Sequence, residues 1–144
     1  MNSMLLAYLE ETEDMFQKAE ECLIRLEKGY STEDVNELFR IAHTIKSSSY
    51  MVGYEDIGNL MHKVEDMLDC VRTGKIKFDP NLVSLCFEGF DTVKMMLQCK
   101  KNLDGESDRA NLANAVLKVS KMIDSSLKLS TKKEEKILAK QKEG

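Results

Sequence analysis

The segment that decides the fold is RIAHTIKSSSYMVGYEDIGNLMHKVED, residues 40–66. Apolar residues recur at intervals of three and four on both sides of its Gly53–Tyr54 step, which is the spacing of two amphipathic helices. Glycine most readily adopts the left-handed backbone found just after a helix, so Gly53 predicts a helix end. This segment therefore predicts two helices joined by a short turn, and the second begins near residue 55.

The same spacing continues outward and predicts five helices in the chain. The predicted ranges are 4–28, about 32–51, about 55–73, Pro80 to the break in NLDGES, and Ser107 onward. Ser31 with Asp34 resembles a capping box at the start of the second helix. Asp79 precedes Pro80 as an N-cap precedes the first helical position. Because short connections favour antiparallel neighbours, we predict an all-α fold, an up-down antiparallel four-helix bundle with an additional C-terminal fifth helix.

The composition predicts one soluble domain followed by a charged tail. A chain of 144 residues is long enough for one domain with its own core. No apolar run approaches the roughly 18 residues of a membrane span, and the acidic start is not a secretory signal. The last segment, STKKEEKILAKQKEG, is mostly charged. We therefore predict a bundle domain over residues 1–129, and over 130–144 a charged tail or linker that either extends the last helix or frays.

Charge and cysteine content narrow the classes of function. A net charge of −4 argues against a general nucleic-acid binder, which would carry a basic stripe. The four cysteines form no CxxC pair and no signal peptide accompanies them, so we interpret them as free thiols in a reducing cytoplasm. The chain has no GxxxxGK[ST] loop and is not expected to bind ATP. We expect a monomer, because every apolar stripe has a neighbouring helix to bury it.

The two histidines of the chain, His43 and His62, each precede a charged residue by three positions. At about 100° per residue, His43 falls on the shoulder of the apolar stripe of its helix, and Lys46 follows one turn later. Glu65 falls on the shoulder of the next helix. Since shoulders of adjacent helices meet along the seam between them, we expect His43 to contact Glu65 while one face of the imidazole stays in water.

A half-exposed imidazole is open to three interpretations. It can be a boundary residue without chemical role, or a ligand in a metal site with His62 and Glu65, although an HExxH pair is absent. The third interpretation is a phosphoryl acceptor. That chemistry needs one free ring nitrogen and a fixed acceptor, such as Glu65, for the N–H of the other. Lys46 would then meet the added negative charge, and His62 would line the pocket.

The segment FRIAHTIKSSSYMVGYEDIGNLMHKVEDMLDCVRTGKI resembles the histidine phosphotransfer (HPt) family, and most of all the N-terminal phosphotransfer domain of CheA-type chemotaxis kinases. The family pattern is roughly His-x-x-Lys-Gly, a Gly-aromatic turn and His-x-x-Glu. The matching positions are His43, Lys46, Gly53, Tyr54, His62 and Glu65. The resemblance covers about residues 5–105. Ser47 departs from the usual glycine, and Tyr50 stands where chemotaxis kinases often have glycine, which bears on the choice of partner.

The resemblance implies that His43 is phosphorylated at Nε2, that Glu65 holds the Nδ1 proton, and that Lys46 and His62 line the site. It implies that the ATP-binding domain of a histidine kinase, using ATP and Mg²⁺, donates the phosphoryl group, and that an aspartate in a response regulator receiver domain accepts it. No cofactor, resident metal, nucleic acid or membrane is expected as a partner of this chain. Two alternatives stay open: a free-standing relay protein instead of a kinase fragment, and an interaction module without phosphotransfer.

Overall fold

The computed structural model describes residues 2–102 and 106–143. The side chains outside this description are those of residues 102, 106–108, 130–135, 137, 142 and 143. The described residues form five helices: α1 (Ser3–Lys28), α2 (Thr32–Met51), α3 (Glu55–Arg72), α4 (Pro80–Asn102) and α5 (Glu106–Glu143). The all-α prediction is confirmed, and the helix bounds agree with the predicted ranges to within a residue or two. The centre of the predicted NLDGES break lies outside the described residues.

Local signals in the sequence set the helix ends. The Ser31 hydroxyl accepts a hydrogen bond from the Asp34 backbone N–H at 3.3 Å and caps α2. The Asp79 carboxylate accepts one from the Leu82 N–H at 2.8 Å and caps α4. Gly53, with φ of +83°, makes the left-handed turn after α2. Because three residues separate α2 from α3, the two helices return side by side, and this seam carries the site.

Helices α1 to α4 form a ring around one core. Helix α1 packs on α2 and α4, and α3 packs on the same two helices, while α5 packs against α3 and α4 from outside. The predicted four-helix bundle with a fifth helix is therefore confirmed. The largest fully buried side chains are Leu23, Val35, Leu38, Ile45, Ile57, Leu60, Met61, Val64, Met67, Leu68, Val93 and Ile123. They come from every helix, and burial of their apolar surface is the main stabilising contribution.

The buried face of α1 is rotated slightly from the predicted one. Leu5 and Leu9, predicted to point inward, are half-buried, whereas Tyr8 and Thr12 are buried. The Tyr8 hydroxyl hydrogen-bonds Ser49 at 2.7 Å, which removes the cost of burying both polar groups. A helix wedged between two neighbours buries a wider arc than one stripe, and polar residues with partners fall inside that arc.

The charged segment after residue 129 continues α5 as helical backbone to Glu143. Among the side chains of α5 that the structure describes, Val119 and Ile123 are buried, and both precede this segment. Of the two predicted forms of the tail, the helical extension is the one that the structure contains, while the domain boundary at 129 stays a prediction. Among the described residues, no helix combines the length and the apolar character needed to cross a membrane.

Candidate functional site

His43 stands near the middle of α2, on the edge that faces α3. Its neighbours Ala42 and Ile45 are fully buried, and they fix the rotation of the helix about its axis. The side chain of His43 is 56% exposed. The core therefore holds the backbone of this histidine in place, while its ring remains accessible to another molecule.

One nitrogen of this ring is held by a carboxylate of α3. Nδ1 of His43 lies 2.6 Å from Oε2 of Glu65, slightly shorter than most charge-assisted N–H···O hydrogen bonds. An ionised carboxylate can only accept, so Nδ1 carries the proton and donates it. This fixes the neutral tautomer in which Nε2, on the other side of the ring, keeps its lone pair. Contact between His43 and Glu65 was predicted, and the structure contains it.

Lys46 shares the same carboxylate. Its Nζ donates to Oε1 of Glu65 at 3.0 Å, so each carboxylate oxygen has one donor. The sequence placed Lys46 opposite an incoming phosphoryl group; the structure pairs its ammonium with Glu65, and the side chain is only 17% exposed. Lys46 therefore compensates a buried charge in the state seen here, one helical turn from His43.

Glu65 is buried, with 8% of its surface exposed, although the helical projection placed it on a shoulder. Burial favours the neutral carboxyl and would raise its pKa. The hydrogen bonds from Lys46 and His43, together with the charge of the Lys46 ammonium, outweigh burial, so the pKa of Glu65 lies below its ordinary value. The carboxylate is therefore ionised under neutral conditions, as an acceptor for the Nδ1 proton must be.

His62 lies beside this cluster on the exposed side of α3. Its Nε2 is 3.7 Å from the Asp66 carboxylate, one turn further along the helix. Within the described part of the chain, the group with spacing suitable for a metal ion is His62, Glu65 and Asp66, whose ligand atoms lie within 4.8 Å of one another. The alternative metal set of the sequence analysis contained His43 in place of Asp66. An ion at this position would compete with Lys46 and His43 for Glu65.

A stack of planar groups that the sequence did not predict lies next to His43. The Phe39 ring lies nearly parallel to the imidazole, at 21° with 6.4 Å between centroids, and the Arg72 guanidinium carbon lies 3.9 Å from the Phe39 centroid. Phe39 is four residues before His43, so helical spacing could have identified it. Arg72 comes from the end of α3, and only the three-dimensional contact reveals it.

The two departures from the family pattern lie on the same face of the bundle. Ser47 is exposed one turn after His43. Tyr50 leans onto α3, where its hydroxyl donates to the Asn59 side chain at 2.7 Å. Its ring passes so close to Gly58 that a Cβ there would lie 2.6 Å from it. Tyr50 is therefore packed against α3, and Ser47, a small residue, is exposed one turn after His43.

The fold and the site define a helical-bundle domain in which an exposed imidazole, that of His43, is hydrogen-bonded to a buried carboxylate. The family model described as the Hpt domain matches residues 3–104, and the chain belongs to the Hpt domain family.

Several known proteins are similar to this chain. It is 30% identical over 120 residues to the chemotaxis protein CheA of Bacillus subtilis, a match that covers 83% of this chain and 18% of that protein. It is 33% identical over 104 residues to CheA of Borreliella burgdorferi, covering 72% of this chain and 12% of the relative. The chain thus spans less than a fifth of the length of these relatives.

One solved structure is similar in fold. The phosphorylated P1 domain of CheA3, in complex with CheY6 from R. sphaeroides, matches with a TM-score of 0.65 at 22% identity. The match covers 84% of this chain and 98% of that one. The helical bundle is therefore the shared fold.

Proposed function

We propose that this domain carries a phosphoryl group on Nε2 of His43, as an intermediate in two-component or chemotaxis signalling. The observation that supports this most directly is the 2.6 Å contact of Nδ1 with Glu65 on a ring that is 56% exposed. It leaves Nε2 with a lone pair in an accessible ring. Family membership and the CheA relatives support the same chemistry.

In the proposed loading step, the Nε2 lone pair attacks the γ-phosphorus of ATP. The P–N bond forms while the P–O bond to ADP breaks, and its electron pair leaves with ADP. The ring becomes a cation whose Nδ1 proton stays on the hydrogen bond to Glu65, and that carboxylate stabilises the positive charge. In the unloading step, an aspartate oxygen attacks phosphorus, the P–N bond breaks, and its electron pair restores neutral imidazole.

The proposed partners follow from this chemistry. The donor is the ATP-binding domain of a histidine kinase, which itself holds ATP and Mg²⁺, and the acceptor is a response regulator receiver domain. Ser47 and the half-exposed His43 leave room for both partners to approach. The CheA3 domain of similar fold is in complex with CheY6. We place the domain in the cytoplasm as a monomer without nucleic-acid or membrane partners, and either part of a kinase or a free-standing relay fits.

Labelling by a kinase tests the proposal. The protein is incubated with the ATP-binding core of a CheA-type kinase and γ-labelled ATP, and we expect an acid-labile, alkali-stable label. His43→Gln should take no label. His62→Gln is the matched control, because it removes the other exposed histidine, and it should still be labelled.

Two results would contradict the proposal. Labelling of His43→Gln at the wild-type rate would mean that another residue is the acceptor. Absence of label with any kinase, together with partner binding that is indifferent to His43→Ala, would show an interaction module instead.

A further inference from the structure

We propose that Phe39 and Arg72 are positioning residues for His43, a stack of planar groups that holds the imidazole in the orientation required for transfer. The inference rests on the proposed function, because an orientation matters only if the ring reacts. The stack connects α2 to the last turn of α3, at a point separate from the Glu65 contact. It gives the ring a second support.

The geometry of the stack comes from three contacts. Phe39 and His43 are one turn apart on α2, and their rings lie at 21° with centroids 6.4 Å apart, within the range of offset stacking. Arg72 places its guanidinium carbon 3.9 Å from the Phe39 centroid, well within cation–π distance. The Asp69 carboxylate accepts a hydrogen bond from Arg72 at 3.1 Å and restrains the guanidinium in turn.

The ring needs this second support because one hydrogen bond fixes a single atom. The outer torsion of a histidine side chain has a broad energy profile. An exposed ring can therefore tilt, or flip by 180° so that Cδ2 replaces Nδ1 next to Glu65. A tilt of the ring breaks the near-parallel packing on Phe39, whereas a 180° flip keeps the ring plane and breaks the hydrogen bond to Glu65 instead. The stack therefore holds the ring plane that the Glu65 hydrogen bond needs, and the two contacts together keep Nδ1 on Glu65 with Nε2 on the other side of the ring.

Phe39 itself is only half-buried, so it needs support from α3. The Arg72 guanidinium covers the ring and limits its rotation, and Asp69 limits the movement of Arg72. This predicts that Arg72 acts through Phe39. A direct attraction between Arg72 and the phosphoryl group is the competing explanation, and it predicts an effect that does not depend on Phe39.

Phosphoramidate provides the test, because this small donor reacts without a docked protein. The P–N bond of the reagent breaks, ammonia leaves, and the new bond forms to Nε2. The rate of labelling is measured for the full chain and for Phe39→Leu, Arg72→Gln and the double variant. Phe39→Tyr keeps the ring, and Arg25→Gln removes an exposed guanidinium from the Asp34 ion pair elsewhere in the bundle.

We expect Phe39→Leu to lower the rate about two- to tenfold, the factor equivalent to one aromatic pair. Arg72→Gln should lower it about two- to fivefold, as expected for an exposed cation–π contact. Phe39→Tyr and Arg25→Gln should react like wild type. Since Arg72 acts through Phe39, Arg72→Gln should have no further effect once Phe39 is leucine.

Nitrogen NMR of the His43 ring supplies a readout that loss of stability would not change. In folded Phe39→Leu, the fraction of the Nδ1–H tautomer should fall. An unchanged tautomer with an unchanged rate would overturn the inference while leaving the labelling of wild type by kinase intact. An Arg72→Gln effect of equal size with leucine at position 39 would assign Arg72 to the phosphoryl group directly. Failure of wild type to take label from the kinase would instead overturn the proposed function.

Discussion

The site depends on one carboxylate that serves two donors. Glu65 gives one oxygen to His43 at 2.6 Å and the other to Lys46 at 3.0 Å. An isolated carboxylate at this depth would be costly to ionise. The ammonium of Lys46 offsets that cost, so Glu65 can stay ionised and accept the Nδ1 hydrogen bond of His43. In the proposed function, Lys46 therefore contributes to the chemistry before any phosphoryl group arrives.

Replacement of this carboxylate by an amide tests the arrangement. Glu65→Gln keeps the size of the side chain but removes the charge that fixes the His43 tautomer and stabilises the ring cation. We expect the initial rate of labelling by a kinase core to fall about ten- to hundredfold, the range found when a carboxylate that orients a metal-binding histidine is replaced. Glu37→Gln, which breaks the exposed pair with Arg40 on α2, is the control. A Glu65→Gln rate within twofold of the control would contradict the role of Glu65.

The lowered pKa of Glu65 predicts a dependence of stability on pH. Its pKa is lower in the folded state than in the unfolded chain, so the ionised carboxylate stabilises the fold. This contribution is complete above the unfolded pKa. It is lost as the pH falls from there through the lower, folded pKa. Urea denaturation across the acidic range should show a smaller loss of unfolding free energy for Glu65→Gln than for wild type; parallel curves would contradict the prediction.

Helical spacing predicted which residues of the site face each other, but not how deeply they are buried or which contacts they make between helices. It placed His43 and Glu65 on facing shoulders, because the angle around a helix follows from sequence alone. It did not predict the burial of Glu65 or the attachment of Lys46 to it, because depth depends on how closely two helices approach. Arg72 was missed for the same reason: its partner belongs to another helix.

At the scale of elements, the approach of α3 to α4 holds Glu65 in place. A Cβ on Gly89 of α4 would lie 2.9 Å from Cγ2 of Val64, a distance that real Cβ contacts essentially never show. Val64 is fully buried and directly precedes Glu65. A glycine in α4 therefore permits the position of α3 that brings Glu65 to His43.

Gly89→Ala should destabilise the bundle. Overpacking against a stiff, buried valine costs about 1–3 kcal/mol, and the better helix propensity of alanine offsets about 1 kcal/mol of it. We expect a net loss of about 1 kcal/mol in urea denaturation. Gly58→Ala is the comparison, because its obstacle is the partly exposed ring of Tyr50, which can swing away. Stabilisation by Gly89→Ala would show that α3 and α4 are not tightly apposed.

The helices themselves were predictable because their ends carry local signals. Ser31 and Asp79 each cap the first turn in the way that their positions before apolar periodic segments indicate. The segment after residue 129 carries no such signal: it has charge and good helix formers but few apolar residues. Its sequence therefore left a helical extension and a linker equally open, and the structure contains the extension.

At the scale of the whole molecule, α5 supports α3, the helix that carries Glu65, together with its neighbour α4. It packs on α3 and α4, and it buries Val119 and Ile123. The Lys63 ammonium also donates to Asp124 at 2.6 Å and ties α3 to α5 on the surface. The first half of α5 is thus part of the bundle, although the His43 site lies on the opposite, α2 side of α3.

Truncation separates the two halves of α5 and tests the predicted domain boundary at 129. Removal of residues 130–144 deletes no residue that is known to be buried, so the unfolding free energy and the labelling of His43 should not change. Removal of residues 106–144 deletes the buried side chains of Val119 and Ile123 and exposes the surface of α3 and α4 on which α5 packs. The loss of each buried side chain costs about 1.5–3 kcal/mol of unfolding free energy. Thermal unfolding should then show a clearly lower midpoint for the shorter protein, with labelling retained at temperatures where it stays folded. A lower midpoint on removal of residues 130–144 alone would mean that the domain extends past 129, because those residues would then contribute packing to α3 or α4.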